Sequence, residues 1–237
     1  MIFDPENLDE ISCYKLLIGS VVPRAIGWAS TLSPEGVPNL APFSFFTVVC
    51  RKPPMVSLTM QPKSDGKHLK DTFINIRETK EFVVNIATPR LTNAMHASST
   101  AFAPEVDEFA AVGLRKIASD LVKPPRVADA PISMECRLEQ ILPMGDVNDH
   151  LVIGRIVRFH VADELALENG RIDTAGLRPV GRLAAEYALV EHVFACPVAD
   201  GVLEQRDHRM RRIDERDPQW SPLKEAAWSP AGDAKPL

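Results

Sequence analysis

The chain has 237 residues, of which 45% are hydrophobic and 25% charged, and its formal net charge at pH 7 is -5. A chain of this length and hydrophobic content buries a substantial core, which excludes the intrinsically disordered class. The net negative charge disfavours nucleic acid as a partner, because a phosphate backbone would be repelled.

The N-terminal segment, MIFDPENLDE, carries acidic residues where a secretory signal would carry a basic region. No apolar run reaches the roughly 18 residues that a membrane-spanning helix needs. The four cysteines are far apart and form no C-x-x-C pair, and the histidines form no H-E-x-x-H motif. The sequence therefore predicts a cytoplasmic protein with reduced thiols, no membrane association and no resident metal.

A β-hairpin is predicted near the N-terminus. Residues 25–32 form an apolar strand, and the SPEG segment at 33–36 suits a type I turn with Pro at its second position and Gly at its fourth. The next segment, NLAPFSFF at 39–46, places Ala, Pro and Ser among three phenylalanines. A core strand normally carries branched aliphatic side chains at such positions. The small residues indicate a segment that holds a ligand.

Further strands follow from alternation and apolar runs. Residues 55–60 alternate with the period of a half-buried strand, and residues 82–86 form another strand. The cleanest alternation lies in residues 132–138, where the polar face carries Ser133, Glu135 and Arg137. Residues 151–161 are apolar on both faces, with Gly154 as the predicted bulge. Six strands with short gaps predict a closed or nearly closed antiparallel sheet.

Short helices are predicted between the strands. The first runs to about Thr79 and is capped by Asp71 or Thr72. Thr88 precedes Pro89 in the order that opens a helix, and a further helix is predicted at 107–112, where Gly113 ends it.

The loop before the first of these helices carries a signal for anion binding. The segment SDGKHLKDT, residues 64–72, combines the cations of Lys67 and Lys70 with the hydroxyl groups of Ser64 and Thr72. A helix N-terminus adds free backbone amides, so a phosphate monoester would fit here. The competing interpretation is a solvated connection between two elements.

The composition changes after Asp200. The segment LEQRDHRMRRIDERD has mixed charges, and two Trp-Ser-Pro triplets begin at Trp220 and Trp228. The charges indicate a solvated segment, and the tryptophans indicate anchors onto the body or a neighbouring subunit. We therefore divide the chain into a domain at 1–199 and a C-terminal extension at 200–237.

An ordered set of segments carries a family resemblance. The segments are VVPRAIGWASTLSPEGVPNLAPFSFFTVV, KPPMVSLT, LKDTFINIRETKEFVVNI, VDEFAAVGL, PISMECRLEQI, LVIGRIVRFHV and GRIDTAGLRPVGRL, followed by Tyr187. Over roughly residues 20–188 they resemble the flavin reductase-like FMN-binding split-barrel family, in the branch related to flavoredoxin. The resemblance implies a mainly β fold, a six-stranded antiparallel Greek-key split barrel. It also implies a homodimer with FMN at the edge of each barrel, near the subunit interface.

The resemblance implies a cofactor site in three parts. Strand residues near 30 and the segment 39–45 border the flavin, the Lys-Asp-Thr at 70–72 lies at its phosphate, and Arg24 is a further anion partner. No catalytic side chain and no metal ligand is implied. The implied cofactor-binding residues are Arg24, Ser30, Thr31, Asn39, Ala41, Pro42, Phe43, Ser44, Thr59, Ser64, Lys67, Lys70, Asp71 and Thr72.

One segment departs from the family pattern. The family often has a Gly-Gly pair after Arg-Leu, whereas this chain reads Arg182-Leu183-Ala184-Ala185. If the glycines admit a substrate over the flavin ring, two added methyl groups narrow that approach.

The function implied by the resemblance is an FMN-dependent NAD(P)H oxidoreductase of the flavin reductase type. Hydride passes to flavin N5, and electrons then pass to free flavin, a partner protein such as an oxygenase, or a small acceptor. No side-chain base is required, in agreement with the lack of a G-x-S-x-G elbow. Two alternatives stay open: an FMN-binding electron carrier or sensor without NAD(P)H activity of its own, and a barrel that binds another ligand and has lost flavin.

Overall fold

The computed structural model describes residues 1–190, apart from the side chain of Asn169. The predicted extension at 200–237, its tryptophans and the domain boundary after residue 199 lie outside the described residues and stay predictions. Within the described range, no helix is both long enough and apolar enough to cross a bilayer.

The strands are short except for two of 13 residues. They are β1 (Arg24–Ala25), β2 (Gly27–Leu32), β3 (Pro38–Phe43), β4 (Phe46–Arg51), β5 (Pro54–Met60), β6 (Glu81–Asn85), β7 (Lys116–Ile117), β8 (Arg126–Val127), β9 (Ile132–Met144), β10 (Asp149–Val161), β11 (Ala166–Leu167), β12 (Arg171–Ile172), β13 (Val180–Arg182) and β14 (Tyr187–Leu189). The α-helices are α1 (Glu10–Ser20), α2 (Asp71–Thr79), α3 (Thr92–Ala97), α4 (Glu108–Ala111) and α5 (Thr174–Leu177), and 3-10 turns cover Pro5–Asn7, Pro89–Leu91, Asp163–Leu165 and Glu168–Gly170.

The chain forms two compact units. The first comprises residues 1–160 and 180–188, and the described part of the second comprises residues 161–179 and 189–190. The described part of the second unit contains the paired strands β11 and β12 and the helix α5, whose N-cap Asp173 accepts a bond from the amide of Gly176 at 2.9 Å.

Seven strands of the first unit form one sheet in the order β3-β2-β6-β9-β10-β5-β4. Its edge strands, β3 and β4, follow each other in the chain and are joined by Ser44 and Phe45 alone. Because two residues bridge the two edges, the sheet must curl back on itself into a nearly closed barrel. The amide of Thr59 in β5 donates to the carbonyl of Phe45 at 2.8 Å and fixes this link to the barrel wall.

The predicted hairpin is confirmed. β2 and β3 are antiparallel, with Thr31 opposite Asn39, and the turn between them is closed by a bond of 2.9 Å from the Gly36 amide to the Ser33 carbonyl. The mainly β, antiparallel class is also confirmed, with one more strand in the main sheet than predicted. The additional strand is β4, whose Val48 and Val49 are exposed and therefore lack a core-facing alternation.

Two hydrophobic cores lie against the sheet. In the first, Phe73 and Ile76 of α2 pack with the barrel side chains of Val56, Leu58 and Phe82. The second surrounds the fully buried Trp28 and Phe109. Burial of each such aromatic or aliphatic side chain stabilises the fold by about 1.5 to 3 kcal/mol.

The short helices begin close to the predicted positions. Thr88 precedes the 3-10 turn that Pro89 opens, and Asp107 caps α4 by accepting from the amide of Ala110 at 3.3 Å. Gly113 follows α4 with a φ of +73°, in the left-handed region that glycine favours. The helix α1 was missed, because no described side chain of α1 is buried and its apolar residues follow no single face.

Glu135, on the polar face of the predicted alternation, does not face solvent. It is fully buried, and its carboxylate accepts from the amides of Asp120, Leu121 and Val122 at 2.8, 2.6 and 3.1 Å, with His160 Nε2 at 2.5 Å. Burial alone would raise the pKa of Glu135, but these donors outweigh it and lower the pKa. Although Asp120, Glu135 and His160 lie close enough to share a cation, both Glu135 oxygens already bind protein donors, so this carboxylate anchors a loop.

On the side of β10 that pairs with β5, Gly154 forms no bulge, unlike the sequence prediction. It lies opposite Val56 in an unbroken register between β10 and β5. A Cβ built on Gly154 would lie 2.6 Å from Cε1 of Phe82, so the glycine is required by close packing. The register shift in this part of the sheet lies in β4, between Val48 and Cys50.

Replacing Gly154 by Ala is expected to lower the free energy of unfolding by about 1 to 3 kcal/mol, because the buried ring of Phe82 must move. The matched control is Gly19→Ala in α1, where no heavy atom lies within 4 Å of the added methyl group. The control is expected to stabilise the helix by about 0.5 to 1 kcal/mol. Urea unfolding measures both, and equal stabilities of the two variants would contradict the packing argument.

Candidate functional site

The first turn of α2 presents free backbone amides. Its N-cap is Lys70, which has no acceptor in its side chain, and the first backbone bond of the helix runs from the Ile74 amide to the Lys70 carbonyl at 3.1 Å. The predicted cap, Asp71, is instead the first helical residue, and its carboxylate pairs with Lys63 at 2.9 Å. Within the described residues, the amides of residues 71–73 have no acceptor. Such a terminus favours an anion.

Lys70 adds a positive charge to this terminus. Its side chain is half-buried, and no carboxylate of residues 1–190 lies within ion-pair distance of it. Burial lowers the pKa of Lys70, the neighbouring Lys63 lowers it further, and Asp71 opposes them. A doubly negative phosphate would supply the missing counter-charge.

Two buried polar pairs hold α2 against the hairpin. The side chains of Asn39 and Thr72 are 3.3 Å apart, and Asn75 Nδ2 donates to Thr31 Oγ1 at 3.0 Å. All four residues are at least nine-tenths buried. The structure therefore brings together three of the implied cofactor residues, Thr31, Asn39 and Thr72, beside the free amides.

His150 was missed by the sequence reasoning. Its Nδ1 is buried and has no hydrogen-bond partner in the described chain, and its ring centroid lies 4.4 Å from that of Phe73, in the first turn of α2. The position follows from pairing, because His150 lies opposite Met60 at the end of β5. A buried nitrogen without a partner costs about 1 to 3 kcal/mol, which a ligand atom bonded to it would recover. No sequence motif marked this residue, since its neighbours come from distant segments.

Other residues that the resemblance implies for cofactor binding lie away from the first turn of α2. Arg24, Pro42 and Ser44 line a separate cavity of about 200 Å³. Ser44 is five residues beyond Asn39, about 16 Å along an extended strand. Arg24 is therefore not placed beside Lys70 and Thr72.

Three of the implied cofactor-binding residues pack in the interior of the protein. Ser30 is fully buried, and its hydroxyl donates to the Pro125 carbonyl at 2.5 Å. Phe43 belongs to the first core, and Ala41 packs against that core from the same face of β3. Alternation along β3 turns Pro42 to the opposite face.

The remaining implied residues lie on loops or at the end of β5. Ser64 and Lys67 are exposed in the loop before α2, where the Lys67 amide donates to Asp65 at 2.9 Å. Thr59 is half-buried, and its backbone bond to Phe45 places it beside the link between β3 and β4.

A second cavity, of about 470 Å³, is acidic. Its lining includes Asn39, Asp71, Glu105 and Glu108. Glu108 accepts from the amide of Leu40 on the edge strand β3 at 2.9 Å. Burial is the main cause that raises the pKa of Glu108, to about 7. These carboxylates repel anions, so the second cavity does not suit a phosphate.

Residues 18–176 match the family described as "Flavin reductase like domain". The chain belongs to this flavin reductase-like family. The nitrilotriacetate monooxygenase component B of Bacillus cereus has a similar structure, with 37% identity and a TM-score of 0.79, over 83% of this chain and 98% of that one.

Three further structures resemble this flavin reductase-like protein. The 2-nitrobenzoate 2-nitroreductase of Pseudomonas fluorescens is 30% identical, with a TM-score of 0.76, over 84% of this chain and 97% of that one. A flavin reductase with a split barrel domain from Shewanella frigidimarina is 21% identical, with a TM-score of 0.73, over 84% and 100%. Flavoredoxin of Desulfovibrio vulgaris has the same fold. The expected family and the split-barrel class are thereby confirmed.

Glu108 predicts a pH dependence of stability. Because its folded pKa of about 7 lies above the ordinary 4.5, its contribution is present below pH 4.5 and lost as the pH rises through 7. We compare the free energy of unfolding of Glu108→Gln with that of the parent at each pH. Between pH 4.5 and pH 8, this difference is expected to shift by about 1 to 3 kcal/mol in favour of the variant. Urea unfolding at both pH values measures this, with Glu105→Gln, on the rim of the same cavity, as the control. A difference that is independent of pH would contradict it.

Proposed function

We propose that the protein is an FMN-binding, NAD(P)H-dependent oxidoreductase of the flavin reductase type. The observation that carries the proposal is the first turn of α2, where free backbone amides lie beside Lys70, which forms no ion pair among the described residues. This donor set fits the phosphorylated end of a flavin mononucleotide. The family membership of residues 18–176 supports a flavin as the ligand.

The flavin lies along the opening between β3 and β5 in this proposal. Lys70, Thr72 and the amides of residues 71–73 bind the phosphate, and Asn39 and Thr31 fix that turn in place. Thr59 and the link at Phe45, which a backbone bond holds together, would border the ring. Small side chains along 39–44 leave room for the backbone to approach the ring.

FMN, when bound, supplies the hydride acceptor and the two-electron chemistry. The chain's own residues bind and orient it. Lys70 neutralises the phosphate, His150 offers a ring nitrogen to a polar atom, and the buried Phe73 and Met60 exclude water from that end. No side-chain base is required, and none is assigned.

The names of the relatives support a proposal for the electron acceptor. Their names describe a monooxygenase component and a nitroreductase, so a partner oxygenase or a small molecule is the acceptor proposed here. NADH and NADPH are both proposed as donors. The cytoplasmic location stays a prediction.

The exposed apolar surface supports a homodimer. Ile11 and Leu17 of α1 are 65% and 52% exposed, and Val48 of the edge strand β4 is 72% exposed. Edge strands with apolar side chains pair readily with another chain. We propose that a second copy of this protein covers these exposed apolar residues of α1 and β4.

The alternative is an electron carrier without NAD(P)H activity. Ala184 lines the cavity that contains Arg24 and Ser44, so its methyl group occupies space that glycine would leave open. This observation favours restricted access for a nicotinamide.

The direct test is the absorption spectrum of purified protein, followed by NADH and NADPH oxidation with free flavin as acceptor. Flavin absorbance with turnover is expected. Flavin absorbance without turnover selects the carrier, and protein that rejects added FMN contradicts both.

Lys70→Met is expected to weaken FMN binding by about tenfold or more, because the charged partner of the phosphate is removed. Riboflavin lacks that phosphate, so its affinity is expected to change little. Fluorescence titration measures both ligands, with Lys80→Met at the opposite end of α2 as the control. An equal loss for FMN and riboflavin would place the phosphate elsewhere.

A further inference from the structure

The cavity of about 200 Å³ at the far end of the hairpin carries two arginines. Arg24 and Arg182 lie on its wall together with Ser44, His96 and Tyr187. No carboxylate of the described residues is within ion-pair distance of either guanidinium. The cavity therefore has a positive charge that the described chain leaves unbalanced.

Arg24 is held rigidly and keeps donors free. It is 8% exposed, and its Nη1 donates to the carbonyls of Ile18 and Val21 at 2.5 and 3.1 Å, while Nη2 donates to Leu183 at 2.6 Å. Its Nε lies 3.5 Å from Ser44 Oγ, which is a weak contact. Of the five N–H groups of a guanidinium, one on Nη2 and that on Nε remain for a ligand. Carbonyl oxygens satisfy hydrogen bonds but do not neutralise the charge.

The aromatic wall of the cavity is also fixed. The Arg182 guanidinium carbon lies 4.7 Å from the ring centroid of Tyr187, and its Nη1 donates to the Ala185 carbonyl at 2.6 Å. The Tyr187 hydroxyl is 2.9 Å from His96 Nδ1, and the two rings meet edge to face. The position of the Tyr187 ring in the cavity wall is thus set by contacts on both sides.

The volume of the cavity limits the size of a ligand that can bind in it. A dry cavity of 150 Å³ accommodates benzene, whereas sites for drug-sized ligands occupy about 300 to 1,000 Å³. At about 200 Å³, this cavity suits one six-membered ring with a small substituent. A dinucleotide is too large for it.

We propose that this cavity binds a single-ring aromatic carboxylate, with the carboxylate at Arg182 and Arg24 and the ring against Tyr187. Guanidinium groups match planar carboxylates through paired hydrogen bonds, which explains why two arginines occupy so small a space. The ligand's role as an electron acceptor rests on the function proposed above. Binding itself does not, because no residue of the α2 turn lines this cavity.

Benzoate is the probe, and benzyl alcohol is the matched neutral ligand. Isothermal titration of the full chain, with and without FMN, is expected to show benzoate binding at least tenfold more tightly than benzyl alcohol. Arg182→Gln is expected to remove that preference, and Arg182→Lys to retain part of it through its charge. Arg155→Gln, a surface arginine paired with Glu139, is the control and is expected to bind benzoate like the parent.

Each outcome bears on the proposal. Equal affinity for benzoate and benzyl alcohol, or equal losses in Arg182→Gln and Arg155→Gln, would overturn it. Inorganic phosphate that displaces benzoate at equal concentration would mark a phosphate site instead and also overturn it. FMN binding is read from the visible spectrum of the same samples, so its failure is recognised separately from a failure to bind benzoate.

Discussion

Two buried polar pairs, Asn39 with Thr72 and Asn75 with Thr31, hold the first turn of α2 against the β2–β3 hairpin. Buried amide and hydroxyl groups are costly when unpaired, so these bonds fix the helix in one position on the hairpin. That position determines where the free amides and Lys70 lie relative to the opening of the barrel. The proposed flavin site depends on this docking more than on any single contact to a ligand.

The charges around the hairpin are separated into distinct places. Lys70 and the α2 terminus are positive at one end, and Arg24 and Arg182 are positive at the other. The acidic cavity with Glu108 adjoins the first end without sharing Lys70. Positive and acidic regions therefore lie close together along the hairpin. An elongated ligand with a phosphate at one end is favoured in one orientation on such a surface. The same separation keeps a second, smaller anion apart from the phosphate.

Much of the fold could be predicted because its signals are local. The SPEG turn specifies the hairpin, and strict alternation marks β5 and the start of β9. The elements α1 and β4 escaped prediction, because most of their apolar residues are exposed and follow no regular period. The site was predicted only in part. Lys70 and Thr72 have a local helix-start signal, whereas the orphaned nitrogen of His150 depends on strand pairing between distant segments.

In the proposed site, the first turn of α2 binds the phosphate of a flavin mononucleotide. A crystal structure of the protein grown with FMN tests this most directly. We expect phosphate oxygens within hydrogen-bond distance of the amides of residues 71–73 and of Lys70 Nζ, with the ring directed toward Thr59. A phosphate bound at Arg24 and Arg182, with the α2 turn free, would contradict it.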